Sequence, residues 1–102
     1  PSNAEILIDY SDSTPIEKII FLHKVGILNY LKKISPFNLT TNKLAEYLSA
    51  ITGENASTLQ SYINPIFNST AGQKNNPLNS NSAVKKVSNK LSDMGFSDKN
   101  TN

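Results

Sequence analysis

Thr14-Pro15-Ile16-Glu17-Lys18-Ile19-Ile20-Phe21-Leu22-His23-Lys24-Val25-Gly26-Ile27 is the stretch that decides the fold class. Thr14 through Glu17 is a capping box with proline at the first helical position, a signature of a helix start. Ile16, Ile19, Ile20, His23 and Ile27 then follow the i, i+3, i+4, i+7 spacing of an amphipathic helix. Gly26 supplies a left-handed stop, with Leu22 and Ile27 placed for the hydrophobic contact of such a cap. A chain that opens this way is expected to build its core from helices.

The pattern repeats downstream. A short second helix carries Leu28, Leu31 and Ile34 before Ser35-Pro36 stops it. Lys32 and Lys33 fall in its last turn, where cations suit the helix dipole. A third helix, from about Thr41 to Thr52, places Leu44, Ala45, Leu48 and Ile51 on one face and stops at Gly53. Ser57-Thr58-Leu59-Gln60 reads as a second capping box, opening a fourth helix with Leu59, Tyr62, Ile63, Ile66 and Phe67 inward. Pro65 is expected to bend or end that helix after Asn64. Residues 68–81 have the composition of a loop. A fifth helix begins near Ser82, with Val84, Val87, Leu91 and Met94 on one stripe, and closes at Gly95 with Leu91 and Phe96 in contact. The fold class is therefore all-α: a single small domain of about five helices over residues 14–96.

The N-terminal 13 residues read differently. Ser2-Asn3-Ala4 resembles the scar of a cleaved expression tag, so the remainder is expected to be cut from a longer protein. Ile6-Leu7-Ile8 with Tyr10 reads either as a short strand or as an extended arm packing on the domain. Residues 97–102 are polar and are expected to form a disordered tail. No signal peptide is apparent, because acids and not lysines flank the first apolar patch. No apolar run is long enough to span a membrane, and a cytoplasmic location is expected.

Composition narrows the chemistry. The chain has 102 residues, 37% hydrophobic and 18% charged, with 14 Asn and 13 Ser. There is no Cys, which excludes disulfides, thiolate metal sites and cysteine nucleophiles. Only one His is present, on the apolar stripe of the first helix, where it reads as a hydrogen-bonded residue at the edge of the core. No carboxylate pair has helical spacing on an apolar face, and no glycine-rich phosphate loop exists. The expectation is no enzyme, no metal, no cofactor and no small-molecule substrate. Asn-x-Ser/Thr triplets at Asn38, Asn55 and Asn68 are about as many as this Asn-rich and Ser/Thr-rich composition gives by chance, and carry no signal.

All ten basic residues are Lys, so the bidentate guanidinium contacts that read guanine or grip phosphate are absent. Residues 1–54 carry a net charge of −1, residues 55–92 carry +4, and the last ten carry −1. Residues 41–67 are similar to a helix-turn-helix. The second helix of that pair would offer Ser57, Thr58, Gln60, Ser61 and Asn64 outward, since amides can pair with adenine edges and hydroxyls with phosphates. Lys74, Lys85, Lys86 and Lys90 would supply the phosphate attraction. The same lysines read equally as a solvated face, and the same two helices as a packed pair without a ligand.

Ile19 through Ile27, Asn42 through Ala45, Ser57 through Pro65, Gln73 through Leu78 and Leu91 through Phe96 carry a family resemblance. Together they resemble a C-terminal helical domain of Bacteroides-type mobile-element proteins, remotely similar to the RteC-type regulators of conjugative transposon excision. The resemblance implies a helical, winged-helix-like DNA-binding regulator in a cytoplasm. The expected function is thus a non-enzymatic regulatory module, with DNA bound through the helix-turn-helix-like pair. The alternative is a protein-interaction or oligomerisation domain of a longer protein, anchored by Tyr47, Tyr62 or Phe67.

Overall fold

The computed structural model describes residues 7–67 and 76–96. Five α-helices follow in order: α1 (Pro15–Lys24), α2 (Ile27–Leu31), α3 (Thr41–Thr52), α4 (Ala56–Phe67) and α5 (Asn81–Asp93). A one-turn 3-10 helix, Pro77–Asn79, leads into α5. Among the described residues there is no strand. The all-α expectation holds.

Helix α1 forms as its sequence dictates. The Glu17 N–H donates to the Thr14 hydroxyl oxygen at 3.2 Å, and the Thr14 N–H donates to Glu17 Oε1 at 3.3 Å. The helix ends at Lys24, and Gly26 follows in the left-handed region at φ 87°. Helix α2 is shorter than the periodicity suggests: it stops at Leu31, and Ile34 reaches the core from the turn beyond. Helix α3 is capped by Thr40, whose hydroxyl accepts from the Lys43 N–H at 3.2 Å. It ends at Gly53 (φ 79°), whose N–H donates to the Ser49 carbonyl.

Five expectations need correction along α4 and α5. The cap of α4 is Asn55, not Ser57: its side-chain oxygen accepts from the N–H groups of Ser57 (2.9 Å) and Thr58 (3.3 Å). Pro65 does not end α4. It sits buried near the helix end, where the missing N–H removes a single hydrogen bond, and packing of Ile66 and Phe67 on the core holds the last turn in place. Of the loop expected over residues 68–81, residues 68–75 lie outside the described residues, and the rest includes the 3-10 helix, whose proline is buried. Helix α5 is capped by Ser80, slightly earlier than its pattern suggested. It closes with the hydrogen bonds of a Schellman motif: Phe96 N–H to Leu91 carbonyl and Gly95 N–H to Ser92 carbonyl, both 2.9 Å. Met94, expected on the inner stripe, caps the helix and is exposed.

The apolar side chains form two cores. The larger joins Ile19 of α1, Leu28 and Leu31 of α2, Leu44, Ala45 and Leu48 of α3, and Leu59 and Ile63 of α4. The smaller joins Ile20 of α1 with Val87 and Leu91 of α5, bordered by Ile16, Phe21, Leu78, Ala83 and Val84. Consecutive residues on a helix point about 100° apart. Ile19 and Ile20 therefore enter different cores, and α1 has an apolar face on each side.

Residues 7–13 form neither a strand nor an arm packed along its length. Leu7 is 97% exposed and Ile8 61% exposed. Tyr10 meets the domain through its ring, which the Lys90 ammonium faces at 5.4 Å, and its carbonyl accepts from the Ser13 hydroxyl at 2.7 Å in a local turn. Ile6, Lys74 and the tail over 97–102 lie outside the described residues.

Candidate functional site

The outward residues of α4 are largely committed to their own fold. The Ser57 hydroxyl donates to Asn55 Oδ1 at 2.6 Å, and the Ser61 hydroxyl donates to the Thr58 carbonyl at 2.7 Å. Both keep only lone pairs for a partner. The Gln60 amide donates to Asn42 Oδ1 and so ties α4 to α3. Thr58 and Asn64 are half-buried. A shallow groove of about 180 Å³ lies between α3 and the start of α4, lined by Asn42, Ala45, Glu46, Ala56, Ser57 and Gln60. The charged group in that lining is the Glu46 carboxylate, which repels phosphate.

The lysines of α5 lie elsewhere. Helix α5 packs chiefly on α1 and the 3-10 helix, whereas α4 packs on α3 and α1. Lys85 and Lys86 are exposed on α5. Lys90 is not free: its ammonium donates to Glu17 Oε1 at 3.1 Å and to the Ser13 hydroxyl oxygen at 3.2 Å. It also lies 5.4 Å from the centre of the Tyr10 ring. Lys86, Lys90 and Asn89 share a hollow with Asp12, Thr14 and Glu17. Burial acts to raise the Glu17 pKa, but the Lys90 ammonium, the Thr14 N–H and the charge of Lys86 outweigh it and hold the carboxyl below its ordinary value. Lys86 and Lys90 thus face carboxylates, and neither Gln60 nor Asn64 lines the hollow that they share.

Helix α3 presents a different kind of surface. Tyr47 and Ile51, one turn apart, are 42% and 56% exposed, and Leu39, just before the helix, is 72% exposed. Phe37 lies against the Tyr47 ring at 5.0 Å between centroids. Ile51 was expected inward, and its exposure is a correction. The helix period fixes a face, but it does not say how far the neighbouring helices extend along it. Of the other expected aromatic anchors, Tyr62 and Phe67 are half-buried against the larger core, and the Lys32 ammonium sits 5.0 Å from the Phe67 ring centre.

His23 also departs from expectation. It lies at the edge of the core, but its Nδ1 is buried with no hydrogen-bond partner. Burial, and then the charge of Lys24, lowers its pKa below the ordinary 6.5. Among the described residues no group of three or more His, Asp or Glu side chains gathers as metal ligands would, and no helix is long and apolar enough to cross a membrane. No family model matches the chain, and neither a curated protein nor a solved structure does.

Proposed function

We propose that this chain is a non-enzymatic interaction module that associates with a second copy of itself through the outer flank of α3. The observation that carries the reading is the exposed strip of Leu39, Tyr47 and Ile51, backed by Phe37. Aromatic and aliphatic side chains at a surface supply most of the energy of protein contacts, because they bury large area at small entropic cost. Lys43 and Glu46 border the strip and are both exposed, with their charged groups 3.8 Å apart. A patch carrying one charge of each sign can set the Lys43 of one copy against the Glu46 of the other, which suits a self-complementary two-fold interface.

Sedimentation velocity over a range of concentrations tests this reading. The expected result is a dimer that strengthens with concentration and disappears in Tyr47→Ser/Ile51→Ser, with helical circular dichroism unchanged. A strictly monomeric wild type at millimolar concentration overturns it.

Regulatory DNA binding stands as the second reading, supported by the close packing of α3 and α4 as a pair. Fluorescence anisotropy with AT-rich duplex DNA decides for it if binding weakens with salt and again in Lys85→Ala/Lys86→Ala.

A further inference from the structure

We infer that the two copies of the self-associated form meet antiparallel, α3 against α3, with the Lys43 of each lodged against Glu46 and Tyr47 of the other. This rests on the self-association proposed above and adds its orientation. Leu39, Lys43, Tyr47 and Ile51 follow one another at steps of four residues. Side chains at that spacing form a ridge along a helix surface, advancing about 6 Å per step. Lys43, Tyr47 and Ile51 are all exposed on α3, and Leu39 continues the row ahead of the Thr40 cap. Glu46 is exposed on the same outer flank, with its carboxylate toward Lys43. Ala50, between Tyr47 and Ile51, is also exposed and too small to hold a second helix away.

A two-fold axis can lay this ridge on its own copy in two ways. An axis along the helix sets the copies parallel, and every residue meets its own counterpart. Lys43 then opposes Lys43 and Glu46 opposes Glu46, and like charges face to face repel. An axis across the helix sets the copies antiparallel and reverses the order of the ridge. Placed beside residue 45, it sets Leu39 of one copy against Ile51 of the other, and Lys43 against Tyr47, because both pairs are centred on that residue. The pair Lys43 and Glu46 is centred half a residue away, less than about 1 Å along the helix. One placement therefore joins the apolar ends twice over and offers each ammonium a carboxylate and an aromatic face at once. Lys43 and Glu46 together choose between the two orientations.

The sequence holds no Cys, so introduced cysteines report on contacts between copies alone. Singly substituted Leu39→Cys and Ile51→Cys chains are mixed in equal amounts at a concentration where sedimentation shows the dimer. They are then oxidised and the disulfides counted by mass spectrometry. The mixed product is expected to exceed the two like products together by about tenfold, where random pairing gives equal amounts. A second variant keeps the apolar residues in place: Lys43→Glu/Glu46→Lys exchanges the two charges. It is expected to dimerise within about threefold of wild type. Its mixed dimer with ¹⁵N-labelled wild type, read by native mass spectrometry, is expected to fall about fivefold below the random share, because that pairing sets lysine against lysine and glutamate against glutamate. Like disulfides equal to or above the mixed one, or a mixed dimer at or above its random share, overturns the antiparallel arrangement while the dimer itself stands. A wild type that stays monomeric at millimolar concentration overturns it together with the self-association on which it rests.

Discussion

The two cores of this protein are closed by different physics. The larger one draws eight buried side chains from four helices, and each is sealed by other apolar groups. The smaller has three, Ile20, Val87 and Leu91, and the helices that supply them, α1 and α5, are joined by a polar bridge as well. There Lys90 bridges Glu17 and Ser13 and lies against Tyr10. Where a small chain runs short of apolar residues, a partly shielded ion pair can fix the position of a helix that burial alone would hold loosely. Helix α5 is such a helix, and its lysine is a structural part.

The contrast can be broken by mutation. Leu48→Ala in the larger core is expected to cost about 3 kcal/mol, against about 1.5 kcal/mol for Val87→Ala in the smaller, read from urea unfolding. Equal losses would show that the two cores are sealed alike. Lys90→Met removes the cation but keeps the side-chain length. It leaves Glu17 buried beside the Thr14 N–H, and with the pair partly open to solvent the loss is expected to be about 1–2 kcal/mol.

The same variant has a pH signature. The folded pKa of Glu17 lies below its ordinary 4.5, so the stability linked to it is present above the unfolded value and is lost as pH falls through the folded one. The gap between wild type and Lys90→Met should therefore be full at neutral pH and close in acid, below about 4.5. A gap unchanged at low pH would mean that Lys90 acts through its packing on Tyr10 and not through its charge. Smallest is the effect of Gly53→Ala and Gly95→Ala, one beside each core, at about 1 kcal/mol apiece by thermal unfolding. A Cβ at either position meets nothing within 4 Å, so the cost is confined to the left-handed backbone. Unequal losses would show that one of these two caps supports its core and not only its helix.

Sequence and structure agree where the governing interactions are local. The Thr14 box, the stops at Gly53 and Gly95, and the inward faces of α1 and α4 all depend on residues within a turn or two of each other. The start of α4 was misplaced because Ser57 and Asn55 are both able caps. Asn55 prevails by accepting from two backbone N–H groups at once. The candidate site was far less legible. Lys90 and Glu17 are 73 residues apart, and nothing in the pattern of either helix announces their pairing. Glu17 already had a complete role in the capping box, and the same Oε1 atom serves both partners. Ile51 fits the inner stripe of α3 by period, and only the packed neighbours reveal that the stripe is uncovered there.

Ile19 and Ile20 send successive side chains of α1 into separate cores. Neither core keeps its shape if α1 unravels, and α1 has no complete seat without both. The protein should therefore melt as one cooperative unit, with no stage in which α5 has peeled away and the other four helices remain fully ordered. The backbone amides of α1 would then be the last to exchange with solvent, opening only when the whole chain does.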